Sequence, residues 1–379
     1  ERENHISSDS WPIYISLQKD GILFKMRRTQ DLPDKESATM FFQDCKLSHQ
    51  AQITGISHSV KEILPPDLLD LTQLQKEANI RYGYTASEVY DIAQSLYEKK
   101  LISYPRTSSR YLTEDVFDSL SPIMAHLLSW ELFPAAKGTG GIDISCLSRH
   151  VINSEKANVH HAIIITGIRP GNLSEKEMQV YRLVAGRMLE AFMAPCRIET
   201  TNVEAVCAAQ HFKAEQTRII EAGWHDVFMH SDMVPKSGYS VNELPEVKKG
   251  DNLNVCGCNM VHKKELPVDP FTDAELVEYM EQNGLGTVSS RTNIIRTLVN
   301  RKYIRYSGKY IVPTPKGMFT YETIRGKKIA DTSLTADWEK QLAGLESGMI
   351  TGQDFLNRIR TLAKEMTDDI FNTYSTKEE

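Results

Sequence analysis

Two parts of this chain carry short apolar runs of β type, and the part between them carries apolar residues at helical spacing. Trp11-Pro12-Ile13-Tyr14-Ile15 and Ile22-Leu23-Phe24-Lys25-Met26 are β-rich runs separated by Asp20-Gly21, a dipeptide that favours a hairpin turn. Residues 11–64 read as strands. Residues 196–266 read alike, with runs from Ile198 to Cys207, His211 to Ile220 and Asn252 to Met260. The stretch between, roughly 68–192, is helical. The simplest account is one β domain interrupted by a helical insertion, the chain leaving the sheet near Pro65-Pro66 and returning near Pro195.

Two helical segments resemble each other. In the first, Thr85-Ala86-Ser87-Glu88 is a capping box, and Val89, Ile92, Ala93 and Leu96 form a core face. Lys99 to Tyr104 then reads as a strand. In the second, Thr272-Asp273-Ala274-Glu275 caps a helix that stops at Gly284. Another helix begins after Thr287 or Ser289, with Ile294, Ile295, Leu298 and Val299 facing a core. Lys302 to Tyr306, a Ser307-Gly308 turn and Lys309 to Val312 complete a hairpin. Helix, turn, helix and hairpin is the winged-helix order, which docks onto DNA and also mediates protein contacts. Further on, Trp338, Leu342 and Leu345, then Phe355, Ile359 and Leu362, fit amphipathic helices packing on a core.

Composition adds bounds. The chain has 379 residues, 41% hydrophobic and 25% charged, an ordinary globular balance compatible with two to four domains. It holds no apolar run long enough for a membrane span. It begins Glu1-Arg2-Glu3-Asn4, with no initiator Met and no signal-peptide pattern, which fits a fragment of a longer protein. Cys45, Cys146, Cys196, Cys207, Cys256 and Cys258 are scattered, so no zinc ribbon is expected; they read as buried free thiols of a cytoplasmic protein. Net charge is -6, but the average hides a patch. Between Thr287 and Ala330 there are ten basic residues and one acid, Glu322, a local excess of +9. Such a sign bias is the footprint of a polyanion partner; a solvated helix face mixes its signs.

Leu101-Ile102-Ser103-Tyr104-Pro105-Arg106-Thr107-Ser108-Ser109-Arg110 concentrates chemistry. A guanidinium matches phosphate oxygens bidentately, hydroxyls add donors, and a tyrosine oxygen beside them can attack phosphorus. Spacing alone leaves a plainer alternative open, since Tyr104 could be a half-buried wing tyrosine. Tyr306 holds the corresponding place in the second segment, where no Pro-Arg follows. The pair His160-His161 is, on residue type alone, more often an interior pair than a catalytic one.

Residues 101–109 resemble the active-site motif of type IA DNA topoisomerases, the topoisomerase III branch above all. Gln94-Ser95-Leu96-Tyr97-Glu98 before it matches as well. Val159-His160-His161-Ala162-Ile163-Ile164 resembles the family's histidine motif. Gly284-Leu285-Gly286-Thr287 through Arg291 resembles its glycine-threonine-arginine motif. Pro313-Thr314-Pro315-Lys316-Gly317 and Leu334-Thr335-Ala336-Asp337-Trp338-Glu339 match later landmarks. The motifs fall in the family's order over nearly the whole chain. Two departures stand out: Ser108 where the family commonly has Asp, and Ile165 where it commonly has Pro.

The resemblance implies a multidomain α+β fold, a toroidal fragment with a β arch at 1–64 and 193–266, a helical nucleophile domain at 65–192, and part of the single-strand-binding domain at 267–379. It implies that Tyr104 forms a 5′-phosphotyrosyl link, that Arg106 steadies the scissile phosphate and that His160 contacts it or its neighbour. Arg110, Thr287, Arg291 and Lys302 are the expected DNA contacts. Arg291 is expected to meet a phosphate beside Thr287 at a helix start. Tyr303 is expected to stack on bases. The partners would be single-stranded and negatively supercoiled DNA, with no membrane. The family's magnesium is held by acidic residues of a toprim domain. This chain has no Asp-x-Asp and resembles the family from its Arg-Glu-Asn start of the arch onward, so the toprim domain is expected to be missing and the chain not to relax DNA alone. Two rivals remain: a non-enzymatic protein with two winged helices, and a tyrosine recombinase, which places its nucleophile late and after its histidine.

Overall fold

Ile13, Ile15 and Leu17 alternate with polar neighbours, and the alternation buries all three on one face of a strand. The computed structural model describes residues 7–130, 132–133, 149–157, 160–229 and 244–375. Arg2-Glu3-Asn4, Cys146 and Val159 lie outside the described residues. The chain sorts into two units: one takes in the chain up to Pro66 and Phe192–Asp269, the other Asp67–Phe133, Arg149–Ala191 and the chain from Pro270.

The first unit is built on β1 (Ile13–Lys19), β2 (Ile22–Arg28), β3 (Gln50–Ile63), β4 (Cys196–Cys207), β5 (Gln210–Glu221) and β6 (Asn252–Met260), with one helix, α1 (Lys35–Leu47). The strands close into a barrel in the order β1-β2-β5-β4-β3-β6. Asp20 and Gly21 both have positive φ, 50° and 82°, the turn whose twist matches two paired strands. The seam between β2 and β5 is short, made at Arg27 and Arg28. Its core is Ile13, Ile15, Leu17, Phe24, Met26, Ile53, Val203, Ala205 and Phe212, with α1 contributing Cys45. The reading of 11–64 as strands throughout is corrected by α1. Asp34 caps it by accepting from the Ser37 amide at 2.7 Å, and Ala38 and Cys45 are buried one helical face apart. Cys45, Cys196 and Cys207 are buried free thiols, while Cys256 is exposed.

The second unit holds α2 (Leu71–Tyr82), α3 (Ala86–Glu98), α4 (Glu175–Phe192), α5 (Asp273–Gln282), α6 (Arg291–Asn300), β7 (Ile304–Ser307), β8 (Tyr310–Pro313), α7 (Pro315–Ile324), α8 (Thr332–Glu346) and α9 (Gly352–Ser375). The capping boxes expected at Thr85-Glu88 and Thr272-Glu275 both form. Ala86, Val277, Met280, Ile295 and Ile311 make one core cluster, which joins α3 to α5, α6 and β8. β7 and β8 pair antiparallel, so the second segment is a helix pair followed by a hairpin. Gly317 begins the next helix against that hairpin, where a Cβ would lie 2.0 Å from the Tyr303 carbonyl oxygen.

Two expectations are corrected here. The first helix pair has no hairpin: Lys99 to Tyr104 is not a strand, and Ile102 forms only an isolated bridge to Ile165. In the α8–α9 pair Trp338, Phe355, Ile359 and Leu362 are partly buried as expected, but Leu342 and Leu345 are exposed, at 46% and 36%.

Candidate active site

The end of α3 decides where Tyr104 goes. Lys100 is a non-glycine residue at φ 60°; its amide donates to the Tyr97 carbonyl, and the Leu101 amide reaches the Leu96 carbonyl at 3.0 Å. This is the Schellman arrangement, which satisfies the last helix carbonyls while reversing the chain. The reversal returns Tyr104 to the side of α3. Its ring lies 5.5 Å from that of Tyr97, edge to face at 77°.

The segment after the turn is irregular, and side chains lace it to the histidine segment. The Ser103 amide donates to the Ile164 carbonyl at 2.8 Å, and the Ile164 amide donates to Ser103 Oγ at 3.0 Å. Thr107 Oγ1 donates to the His160 carbonyl at 2.9 Å, and Ser109 Oγ to the Lys156 carbonyl at 2.8 Å. Thr107 and Ser109 are only 3% exposed, so these hydroxyls replace water for buried backbone. The two departures sit in different surroundings. Ser108 is exposed. Ile165 is fully buried, and the bridge around it uses the amides of Ser103 and Thr166, so no donor is needed from residue 165.

The lacing places the His160 ring against Tyr104, with centroids 4.6 Å apart at 45°. His161 points its Nδ1 to the Ala162 carbonyl at 2.7 Å, a backbone-bracing role. Arg106 lies with its guanidinium 5.3 Å from the Tyr90 ring centroid and donates to Gln94 Oε1 at 3.1 Å. It also lines a cleft of about 560 Å³ together with Tyr90, Ser289, Ser290, Asn293, Ile294, Thr297 and Leu298. That cleft is open, and on its α6 side Asn293 and Thr297 stand beside Ile294 and Leu298.

The other expected contacts divide. Arg110 turns to Asp70 at 2.6 Å, a buried carboxylate that also accepts from the Gln73 amide at the start of α2. Arg291 is the buried one among them. It is 8% exposed, pairs with Glu281 at 3.3 Å and approaches Thr72 Oγ1 at 3.5 Å. As the first residue of α6 it points inward, toward Glu281 and Thr72. Thr287 is exposed in the preceding turn, its oxygen 3.2 Å from both Ser289 Oγ and Ser290 Oγ. Lys302 is exposed, but it occupies a left-handed turn at φ 61° before β7 and not the strand itself. Tyr303 carries the Lys316 ammonium over its ring at 4.4 Å.

Tyr306 differs from Tyr104 in surroundings as well as sequence. Its hydroxyl donates to Asp273 at 3.0 Å. Burial, then the neighbouring carboxylate, pushes its phenol far above the ordinary range. The functional neighbour missed in the sequence is Tyr90; Gln94 enters the sequence reading only as part of a matching motif, and Thr107, expected as a donor to phosphate, gives its hydroxyl to the His160 carbonyl. Tyr90, Gln94 and Tyr97 sit four and three residues apart, the spacing of one helix face, which was the available signal.

The site does not fit a metal. Among the described residues no group of three His, Cys, Asp or Glu side chains is placed to hold one. The carboxylates beside the candidate arginines, Asp70 and Glu281, are engaged by guanidiniums.

A family model described as DNA topoisomerase matches residues 1–357. DNA topoisomerase 3 of Bacillus licheniformis is 32% identical over 348 residues, covering 84% of this chain and 47% of that protein. DNA topoisomerase 3 of Shouchella clausii is 30% identical over 389 residues, covering 94% and 52%. The solved structure of full-length topoisomerase I from Thermotoga maritima matches with a TM-score of 0.75 over 96% of this chain and 60% of its own, at 22% identity, and so shares the fold. The chain spans about half the length of the curated relatives it matches. With this family model across its barrel and its tyrosine-bearing helical unit alike, the chain belongs to the type IA DNA topoisomerase family.

Proposed function

We propose that this chain supplies the strand-cleaving part of a type IA DNA topoisomerase, with Tyr104 as nucleophile. The observation that carries this is the grouping of Tyr104 against His160, with Arg106 held on the same helix, α3, that receives the Tyr104 ring. Tyr104 Oη attacks the scissile phosphorus, the bond to the 3′ oxygen breaks, and the phenol gives up a proton as the 3′ oxygen gains one. Arg106 neutralises charge that grows on the phosphoryl oxygens. His160 lies where it can contact that phosphate. The reverse attack rejoins the strand. The phosphotyrosyl ester conserves the energy of the broken bond, so no nucleotide cofactor is required.

The domain reading belongs to the same proposal: a β arch at 1–64 and 193–266, a nucleophile domain at 65–192 and a strand-binding part at 267–379. Lys302, the exposed Thr287 turn and the basic residues around them would line the path of single-stranded DNA. Magnesium would be held by toprim residues outside this sequence, and negatively supercoiled DNA in the cytoplasm would be the substrate. No helix among the described residues is long and apolar enough to cross a membrane.

Denaturant trapping of a covalent adduct with a 5′-labelled and a 3′-labelled oligonucleotide tests the reading. The adduct should retain the 3′ portion of the strand and map to Tyr104. An adduct on another residue, or on the opposite end, would remove the assignment.

A further inference from the structure

Three arginines near the candidate site are held in two different ways. Arg110 faces the Asp70 carboxylate at 2.6 Å, and Arg291 faces Glu281 at 3.3 Å. Each is neutralised where it stands. Arg106 forms no ion pair among the described residues. Its partners are the face of the Tyr90 ring and the neutral amide oxygen of Gln94, at 5.3 and 3.1 Å. Gln94 is itself fixed, since its Nε2 donates to Glu98 Oε1 one turn on at 2.8 Å, which leaves the amide oxygen for Arg106. An aromatic face and an amide fix a guanidinium's direction without cancelling its charge.

The third residue on this face is Tyr97, which holds the nucleophile's ring edge to face. Tyr97 is 39% exposed, so core packing does not explain a large aromatic there. Tyr104 thereby packs against two rings, those of Tyr97 and His160.

We infer that the Tyr90-Gln94-Tyr97 face of α3 is a positioning ridge for the reaction, in which Tyr90 and Gln94 aim a fully charged Arg106 and Tyr97 sets the direction of the Tyr104 ring. This rests on the strand-cleavage reading above. The chemical requirement is specific. A carboxylate at residue 94 would hold Arg106 as firmly, but would compete with the phosphate for it. Misdirection of a nucleophile by a fraction of an ångström is itself costly in rate.

Single-turnover cleavage of a saturating single-stranded oligonucleotide by the full-length protein carrying this sequence tests the ridge, with thermal midpoint and oligonucleotide Kd measured in parallel. Gln94→Glu should slow adduct formation at least about tenfold with only a small fall in thermal midpoint, because the new ion pair to Arg106 offsets the lost bond to Glu98 and the repulsion between the two carboxylates. Tyr97→Ala should slow it about tenfold with Kd within about threefold, and Tyr97→Phe should restore it to within about twofold, since the ring and not the hydroxyl is used. Adduct formation on Tyr104 at the wild-type rate in both Gln94→Glu and Tyr97→Ala would overturn the inference and leave the cleavage reading standing. A Tyr97→Phe defect as large as that of Tyr97→Ala would overturn the role given to its ring. No adduct from the wild type, or an adduct persisting in Tyr104→Phe, would remove the cleavage reading and the ridge with it.

Discussion

The hydroxyl of Thr107 donates a 2.9 Å hydrogen bond to the main-chain carbonyl of His160, 53 residues away, and so ties the nucleophile loop to the histidine loop. The same oxygen accepts from the Ser109 amide at 3.0 Å. Thr107→Val keeps the shape and removes both bonds, leaving a buried donor and acceptor unpaired. It should cost about 1–3 kcal/mol of stability and slow cleavage more than it weakens oligonucleotide binding. Urea unfolding and single-turnover rates measure the two effects; unchanged values for both would mean that the tie is dispensable.

Tyr104→Phe should abolish adduct formation while leaving single-strand binding within about threefold, because affinity comes mainly from phosphate contacts. Tyr306→Phe should behave oppositely. Its hydroxyl serves the buried Asp273, which also accepts from the Ala86 amide at the start of α3. That variant should lose about 1–3 kcal/mol of stability and retain cleavage. A dead Tyr306 variant beside an active Tyr104 variant would reverse the assignment.

Arg291 and Lys302 should separate cleanly. Arg291→Ala leaves the Glu281 carboxylate without its partner in a largely buried place. The expected loss is about 3 kcal/mol of stability, with little change in the salt dependence of binding by folded protein. Lys302→Ala should leave stability unchanged and lower the slope of log affinity against log salt by about 0.7, the value for one single-strand phosphate contact. A reduced slope in Arg291→Ala at full stability would mean that its guanidinium reaches DNA after all.

Glu190 gives a pH signature. It is 4% exposed near the end of α4, beside Arg187 at 2.9 Å, and burial raises its carboxyl from 4.5 to about 7. The folded state therefore binds a proton that the unfolded chain has released. The stabilising contribution is complete below about pH 4.5 and is lost as pH rises through about 7. At about 1.4 kcal/mol per pH unit, the loss is on the order of 3 kcal/mol. Glu190→Gln should flatten the fall in urea-unfolding free energy between pH 5 and 8; an identical pH profile in the variant would refute the assignment.

The sequence by itself determined what depends on neighbours along the chain. The Asp20-Gly21 hairpin, both capping boxes, the stop at Gly284 and the β7–β8 hairpin are local devices, legible because short-range hydrogen bonding and backbone sterics set them. The motif around Tyr104 and its family likeness were legible for the same reason. Tertiary structure decided what depends on distant partners. Lys99 to Tyr104 has β-type residues, yet the left-handed turn at Lys100 and the bonds to residues 162–166 hold it as a laced loop. α1 lay hidden in a strand-like region, its buried face small and mixed. Arg291 and Arg106 each lie in a motif where a phosphate contact is expected, and nothing in their local sequence separates them. Glu281 turns one inward as a brace, while Gln94 and Tyr90 hold the other charged beside the cleft. The reason is physical: the use of a guanidinium is set by the charge of the group it meets, and that meeting is made only when the helices pack.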